Sequence, residues 1–157
     1  MEARLNLFAS PVATKLIKHF VGAGKVAHET TVPDATLELV KIRASQINGC
    51  GYCLDMHTKD AAEAGETQQR LHLVGAWREA TVFTEAERAA LELAEQGTRI
   101  ADAAGGVPDE VWENAAKYYD SEELVALVAT IAAINAFNRL NVIFQQPAGD
   151  YRPGQFA

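Results

Sequence analysis

Cysteine is scarce in this chain. Only two of the 157 residues are cysteines, Cys50 and Cys53, and they lie three positions apart. Two cysteines so close together cannot form the disulfide framework of a small secreted domain. In a reducing compartment, a C-x-x-C pair is more often catalytic or metal-binding than structural. The few cysteines therefore direct attention to one short segment.

The sequence pattern also lacks a targeting segment and a long apolar run. The first ten residues, MEARLNLFAS, have neither an apolar core nor a small-residue cleavage site, so we expect no leader and a cytoplasmic protein. The longest nearly unbroken apolar run, residues 124–134, is shorter than the ~20 residues that span a bilayer. We expect this run to form a buried helix, and we expect no membrane partner.

Clusters of basic residues are lacking as well. Twenty-one acidic and fourteen basic side chains give a formal net charge of −7. Such a charge repels a phosphate backbone, so we expect no nucleic-acid partner. The length fits one domain over residues 1–157, and an apolar share of 48% is enough for one sizeable core.

Helix-start and helix-stop residues are present throughout, whereas alternating runs of β-branched residues are not. Ser10 followed by Pro11 predicts a helix start, and the pairs Thr84 with Glu87 and Asp120 with Glu123 have capping-box spacing. We therefore expect an all-α domain of about seven helices. The predicted helices lie within residues 10–22, 32–49, 50–64, 67–80, 84–106, 108–118 and 121–144.

Four features of these helices can be compared with the structure. Gly22 and Gly24 are expected to end the first helix. After Pro147 the tail is expected to be irregular and to lie on a neighbouring subunit. The first helix is expected to present one apolar stripe, made of Val12, Leu16 and Phe20. The fifth helix is expected to present one solvated charged face, made of Glu85, Arg88, Glu92, Glu95, Arg99 and Asp102.

The segment QINGCGYCLDMH, residues 46–57, carries the strongest chemical signal. On a helix, Cys50, Cys53 and His57 fall within about 60° of one another, so their side chains can meet. Asn48 and Gly49 end the preceding helix, which places both cysteines in the first turn of the next. Helix starts favour anions and bring thiol pKa values from ~8.5 to roughly 3.5–7.5, so a thiolate is expected here.

Several interpretations of this spacing stay open from the residues alone. His57 can accept the proton of Cys53, which is the arrangement used in covalent thiol catalysis. The two cysteines can instead be buried apolar side chains. Zinc would need a fourth ligand from His19, His28, His72 or a carboxylate. Haem attachment would need a histidine directly after the second cysteine, where Leu54 stands.

Glu38 is the second unusual residue, because it interrupts a mostly apolar helix twelve positions before Cys50. A carboxylate beside a thiol raises the thiol pKa, so Glu38 can help only by accepting a proton or by orienting His57. From periodicity alone, a surface glutamate is the better interpretation.

The segment from Glu38 to Ala61, ELVKIRASQINGCGYCLDMHTKDA, resembles the core of the AhpD-like alkylhydroperoxidase family within the carboxymuconolactone decarboxylase superfamily. The glutamate twelve residues before C-x-x-C and the histidine four residues after it are specific to this pattern. The resemblance extends over residues 70–95 and the INAFNRL segment at residues 134–140. It covers most of residues 30–145.

The resemblance implies an all-α AhpD-like fold that assembles into trimers or hexamers, with the C-x-x-C pair at a helix N-terminus. It implies that Cys50 and Cys53 form a redox disulfide, that His57 is the base of a proton relay and that Glu38 is its partner. This replaces the surface interpretation of Glu38. The implied reaction is hydroperoxide reduction by an external dithiol, for which the resemblance suggests a lipoyl type, without a cofactor or a metal. Tyr52 departs from the family pattern, in which a histidine can stand between the cysteines.

Within this chemistry we expect Cys53 to attack the peroxide and Cys50 to resolve the sulfenic acid, because Cys53 is closer to His57. Two other functions remain as alternatives. One is lactone decarboxylation, which members of the same superfamily carry out without a redox thiol pair. The other is a non-enzymatic redox sensor, whose thiols would oxidise once and then stop.

Overall fold

Seven α-helices make up most of the computed structural model, which describes residues 2–155. Three short 3-10 segments accompany them: Leu7–Ala9 precedes the first helix, and Val26–Glu29 and Val74–Ala76 lie between consecutive helices. The described residues contain no strand. The predicted all-α class and the predicted number of helices are confirmed. The helices are α1 Pro11–Lys25, α2 Asp34–Asn48, α3 Gly51–Glu63, α4 Gln68–Leu73, α5 Glu85–Thr98, α6 Asp109–Ala115 and α7 Ser121–Ile143.

The helix starts follow the predicted caps. The Ser10 side chain accepts a hydrogen bond from the backbone N–H of Ala13 at the start of α1. Both predicted capping boxes form, with Glu87 at the start of α5 and Glu123 at the start of α7. These bonds satisfy backbone donors that the first helical turn leaves without partners.

Helix α2 lies at the centre of the bundle and packs against α3, α5 and α7. Its side chains are buried on several faces, with Leu37, Leu39, Val40 and Ile42 at most 1% exposed. Such a helix cannot be accommodated at the surface, because a wide apolar circumference has to be covered by other elements. The segment that precedes the cysteines is therefore held by the core.

Helix α1 differs from the prediction in length and burial. It continues through Gly22 and Gly24 to Lys25, and Val12, on its predicted apolar stripe, is 78% exposed. A glycine inside a helix costs only about 1 kcal/mol, which packing against α7 can offset. None of the α1 side chains that the structure describes is buried within the single chain.

The predicted solvated face of α5 is wrong at Glu95, which is only 6% exposed. Its carboxylate accepts hydrogen bonds from Arg43, from Arg78 and from the indole N–H of Trp77. A carboxylate can be buried when charged partners compensate for the lost hydration. Helix α5 also ends at Thr98, earlier than predicted, and α4 ends at Leu73.

Helix α7 contains the apolar run noted in the sequence. By length and composition alone it is long and apolar enough to cross a membrane, a test that core helices of soluble proteins also pass. Leu124, Leu127, Ile131 and Ile134 bury its core-facing side. Asn138 and Asn141 continue that side toward the cysteines.

Candidate active site

A sharp turn between α2 and α3 positions the two cysteines. Gly49 has a left-handed φ of 65°, and the N–H of Cys50 donates to the carbonyl of Ser45 at 3.0 Å. This is the usual way in which a helix ends at glycine. Cys50 then caps α3, and its sulfur accepts the backbone N–H of Cys53 at 3.4 Å. The predicted location of the pair at a helix N-terminus is confirmed.

The two thiols form one buried pair. Both are free cysteines, their Sγ atoms are 2.7 Å apart, and they are 1% and 0% exposed. Ala44 from α2 and Ile134 from α7 complete the apolar cluster around them. At this separation the sulfurs can form a disulfide, whose bond length is ~2.05 Å, with little movement.

The two sulfurs differ in their affinity for a proton. The hydrogen bond with the Cys53 thiol lowers the pKa of Cys50 to about 7, although burial acts in the opposite direction. The hydrogen bond to Cys50 raises the pKa of Cys53, and burial raises it further. The pair therefore loses its first proton near neutral pH, and the charge rests mainly on Cys50. This resting charge lies on the sulfur that the sequence analysis did not expect to attack.

His57 and Glu38 lie together beside this pair. His57 is one helical turn after Cys53 on α3, and its Nδ1 is 2.9 Å from Glu38 Oε2. Lys41 donates to the other carboxylate oxygen of Glu38 at 2.7 Å. The Glu38 side chain is 18% exposed, so it is not the surface glutamate that periodicity favoured.

Lys41 is a second partner of Glu38 that the sequence analysis did not identify. Burial would raise the pKa of Glu38, but the hydrogen bonds and charges of His57 and Lys41 outweigh it and lower this pKa to about 2. Glu38 is therefore ionised at neutral pH, and it holds the His57 ring by one nitrogen. The spacing of Lys41 three residues after Glu38 on a helix was the available signal.

Two amides of α7 were also missed. The Asn141 amide donates to Cys53 Sγ at 3.3 Å. Asn138 donates to the Ser45 hydroxyl at 3.0 Å and accepts from Asn48 at 2.8 Å. Their spacing of three residues on an otherwise apolar helix was a readable signal, because a buried amide must be hydrogen-bonded.

A cavity of about 400 Å³ is lined by residues that pack against the thiol pair, among them Tyr52, Ile134 and Asn141, although neither sulfur lines it. Its walls come mainly from α1, α3 and α7, and Phe20 packs edge-on against Phe137 across it, with ring centroids 5.7 Å apart. His57, Glu38, Lys41 and Asn141 face the same space. The other residues that line the cavity are Leu7, Ile17, Val21, Gly24, Lys25, His28, Met56, Asp60, Thr130, Ala133, Leu140 and Gln146.

Residues 2–155 contain no group of three or more His, Cys, Asp or Glu side chains placed to hold a metal ion. Among the histidines weighed as a fourth zinc ligand, His28 is hydrogen-bonded to Asp34 at 2.6 Å. At the cysteines the structure shows a close Cys50–Cys53 pair and, one turn later on α3, a histidine that is bonded to Glu38.

The tail lies on α3 of its own chain, whereas the sequence analysis expected it on a neighbouring subunit. Its irregular backbone is confirmed up to residue 155, and residues 156–157 lie outside the described part. Asp55 accepts the backbone N–H groups of Gly149 and Tyr151, at 2.8 and 3.2 Å. The Tyr151 hydroxyl donates to Asp60 at 2.9 Å. Ala148 lies against Gly51, directly beside Cys50.

Comparison with known sequences places this site in a family. The model of the carboxymuconolactone decarboxylase family matches residues 15–96. The uncharacterized protein YdfG of Bacillus subtilis is 40% identical over 142 residues, which are 90% of this chain and 94% of YdfG. The alkyl hydroperoxide reductase AhpD of Methylocella silvestris is 50% identical over 38 residues, 24% of this chain and 21% of that protein.

Solved structures share the fold. A protein of unknown function from Agrobacterium tumefaciens, with a suggested role as the antioxidant defence protein AhpD, has 34% identity and a TM-score of 0.86. The match covers 96% of this chain and 100% of that chain. The debrominase Bmp8 bound to 2,3,4-tribromopyrrole has 22% identity and a TM-score of 0.77 over 87% of this chain and 72% of Bmp8, a likeness in fold alone. By its family-model match and its similarity to YdfG, the chain belongs to the carboxymuconolactone decarboxylase family and has an AhpD-like fold.

Proposed function

We propose that this chain is a thiol-dependent peroxidase that reduces hydroperoxides through a Cys50–Cys53 dithiol–disulfide couple. The observation that carries the proposal is the contact of 2.7 Å between two free sulfurs at the start of α3. His57 follows one turn later on the same helix and is bonded to Glu38 of α2, and both line a cavity large enough for an organic molecule. A nucleophile, a proton-handling group and a substrate space are thus adjacent.

The proposed reaction has two covalent steps. The Cys53 thiolate attacks one peroxide oxygen, so that an S–O bond forms, the O–O bond breaks and Cys53 becomes a sulfenic acid. His57, which has taken the first proton of the thiol pair, gives it to the departing alkoxide, which leaves as an alcohol. Cys50 then attacks the sulfur of Cys53, so that an S–S bond forms and the S–O bond breaks, and the departing hydroxide takes the proton of Cys50 to form water. An external dithiol reduces the disulfide by exchange.

The assignment of the attack to Cys53 is compatible with a resting charge on Cys50. The two sulfurs share one proton across 2.7 Å, so the charge can move to Cys53 by a short proton transfer. Which sulfur reacts then depends on where peroxide binds and which sulfur has a proton donor beside it. Cys53 is one turn from His57. Asn141, which donates a hydrogen bond to Cys53 Sγ, lines the cavity.

The cavity supports a preference for organic hydroperoxides over hydrogen peroxide. Its walls are mainly apolar and aromatic, with Phe20, Met56, Ile134 and Phe137 among them. Burying an apolar substituent contributes about 25 cal/mol per Å², and hydrogen peroxide has no such substituent. As reductant we propose a lipoyl-type dithiol, which the family resemblance suggests.

The rival functions make less use of this site. Lactone decarboxylation needs no second sulfur, so it leaves the contact between Cys50 and Cys53 unexplained. A non-enzymatic sensor uses the thiols but does not need a cavity beside them. Turnover separates a sensor from an enzyme, because a sensor consumes one equivalent of peroxide per chain.

The proposal is tested with serine variants of the two cysteines. The reduced wild type should consume many equivalents of cumene hydroperoxide in the presence of dihydrolipoamide, and both Cys50→Ser and Cys53→Ser should stop after at most one. Mass spectrometry with a sulfenic-acid trap should find the adduct on Cys53 in Cys50→Ser. An adduct on Cys50 in Cys53→Ser, with none on Cys53 in Cys50→Ser, would reverse the two roles. A wild type without turnover would refute the peroxidase assignment.

A further inference from the structure

The side-chain amide of Asn141 contacts both the thiol pair and the substrate space. It lies near the end of α7, is 9% exposed and donates to Cys53 Sγ at 3.3 Å. It also lines the 400 Å³ cavity. The neighbouring amide of Asn138, which is 1% exposed, bonds Ser45 and does not line this cavity. Asn141 is therefore placed to act on the sulfur while a substrate is bound.

The two sulfurs differ in the backbone donor available to them, whereas the side-chain amides of Asn138 and Asn141 act to lower the pKa of both thiols. The first turn of α3 directs the N–H of Cys53 to Cys50 Sγ, at 3.4 Å. The backbone N–H of Cys53 does not donate to the sulfur of Cys53 itself, because it donates to Cys50 Sγ. A buried thiolate needs hydrogen-bond donors to replace its lost hydration. For Cys53, α7 supplies a donor through Asn141.

The position of α7 relative to the cysteines is fixed one turn earlier. Asn138 donates to Ser45 on α2, and it accepts a hydrogen bond from Asn48 at the end of α2. Asn48 also donates to Asn135 at 3.0 Å. These bonds tie α7 to the helix that leads into the C-x-x-C turn. Asn141 is thus a donor held in place before the reaction, which is what stabilises developing charge most effectively.

We propose that Asn141 is a further catalytic residue, whose amide N–H stabilises the negative charge on Cys53 Sγ while that sulfur attacks the substrate. The proposal rests on the peroxidase function proposed above for the direction of the reaction. It adds the group that makes Cys53 a competent nucleophile although the resting charge favours Cys50. An amide does not titrate near neutral pH, so it supports the charge without competing for the proton.

The ionisable groups around Cys53 limit how the test is designed. Helix α2 contributes Glu38 and Lys41 to this region, and α3 contributes Cys50, Tyr52 and His57. Among them the hydrogen bond with Cys50 has the strongest influence on the pKa of Cys53, and the charge of Cys50 acts in the same direction. Replacing Cys50 by serine removes that charge and leaves one thiol, so the effect of Asn141 can be measured alone.

The test compares Asn141→Leu and Asn141→Asp in the Cys50→Ser background. The rate of alkylation of Cys53 by iodoacetamide is measured against pH. Loss of the donor in Asn141→Leu should move the midpoint upward by roughly one pH unit, since a hydrogen bond to a charged group is worth about 1.5–3 kcal/mol. Asn141→Asp has nearly the same shape but adds a like charge, so its midpoint should rise further.

The same substitutions in the otherwise unchanged chain test catalysis. Removing a donor to a reacting charge typically slows the step by roughly 10²-fold, and a sulfur acceptor at 3.3 Å should give at least tenfold. Tyr119→Phe is the control, because it removes one hydrogen bond of a buried side chain, from the Tyr119 hydroxyl to the Ala86 carbonyl, in a core cluster that does not contain the cysteines. It should lower stability without moving the alkylation midpoint of Cys53.

The outcomes separate the two proposals. If Asn141→Leu does not fold, Asn141→Ala, which also removes the donor and adds no charge, provides the measurement. The role of Asn141 would be overturned if both variants kept the alkylation midpoint of the parent and reduced peroxide at a rate within twofold of the parent rate. If the wild type reduces no hydroperoxide but the Asn141 variants show the predicted midpoint shifts, the peroxidase function is refuted. The role of Asn141 as the donor to the Cys53 thiolate is then supported.

Discussion

His57 and Glu38 form a hydrogen-bonded pair whose role is revealed by how their losses combine. If they transfer one proton as a unit, His57→Ala and Glu38→Gln should each slow peroxide reduction by about 10²–10⁴-fold. The double variant should then be scarcely slower than the worse single variant. The measurement is the stopped-flow rate of peroxide reduction at a pH above which this rate no longer rises. A thiol titration of each variant should count both cysteines. Rates that multiply, or full speed in Glu38→Gln, would show that helix-end electrostatics alone activate the thiol.

The pKa of Glu38 also predicts how stability depends on pH. This pKa is lowered from 4.5 to about 2, so folding favours the ionised carboxyl. Its contribution is complete above pH 4.5 and is lost as the pH falls from 4.5 to about 2. The difference in unfolding free energy between wild type and Glu38→Gln should be constant from pH 7 to 5 and shrink by pH 3. Urea titrations measure it, and a difference independent of pH would contradict the pairing.

The four residues named from the sequence lie in two adjacent pairs, and the groups that support them were not named. Cys50, Cys53 and His57 share one short helix, so their spacing alone determines that they face the same side. Glu38 became a candidate through the family resemblance, because its partner is nineteen positions away. Asn141 is 88 positions from Cys53, and such a pairing depends on the packing of α7, which local patterns do not encode.

Helix α3 holds the C-terminal tail through the side chain of Asp55. Asp55 accepts two backbone N–H groups of the tail, which lies beside Cys50. Asp55→Ala should release residues 149–151 and speed exchange of those amide hydrogens by about tenfold, since it removes bonds to a charged acceptor. Glu63→Ala, an exposed acidic residue on the same helix, should leave the exchange unchanged. Equal exchange in both variants would show that Asp55 does not hold the tail.

Helix starts were predicted better than helix ends and burial. The caps at Ser10, Thr84 and Asp120 form as expected because capping depends on residues a few positions apart. The predicted end of α1 was wrong, because a glycine ends a helix where the backbone adopts a left-handed conformation, as at Gly49. Glu95 was placed in solvent because its partner Arg43 comes from another helix, 52 positions away.

The surface of the whole chain predicts self-association. Val125, Val128 and Ala132 follow one another at helical spacing on an exposed side of α7, and Val125 is 62% exposed. An apolar stripe of this kind is commonly covered by a partner. We expect a trimer or a hexamer, and Val128→Glu should shift it toward the monomer. Light scattering that gives 17.0 kDa for the wild type at micromolar concentration would reject this prediction.

The chemistry of the whole molecule is tested most directly by the state of its cysteines during turnover. Wild-type protein is mixed with excess cumene hydroperoxide and dihydrolipoamide, samples are quenched with an alkylating reagent in acid, and the peptides are mapped by mass spectrometry. We predict that many equivalents of peroxide are consumed per chain while a disulfide between Cys50 and Cys53 forms and disappears at the rate of turnover. Consumption of peroxide with both cysteines alkylated throughout, or one equivalent consumed and then none, would contradict a peroxidase that works through this couple.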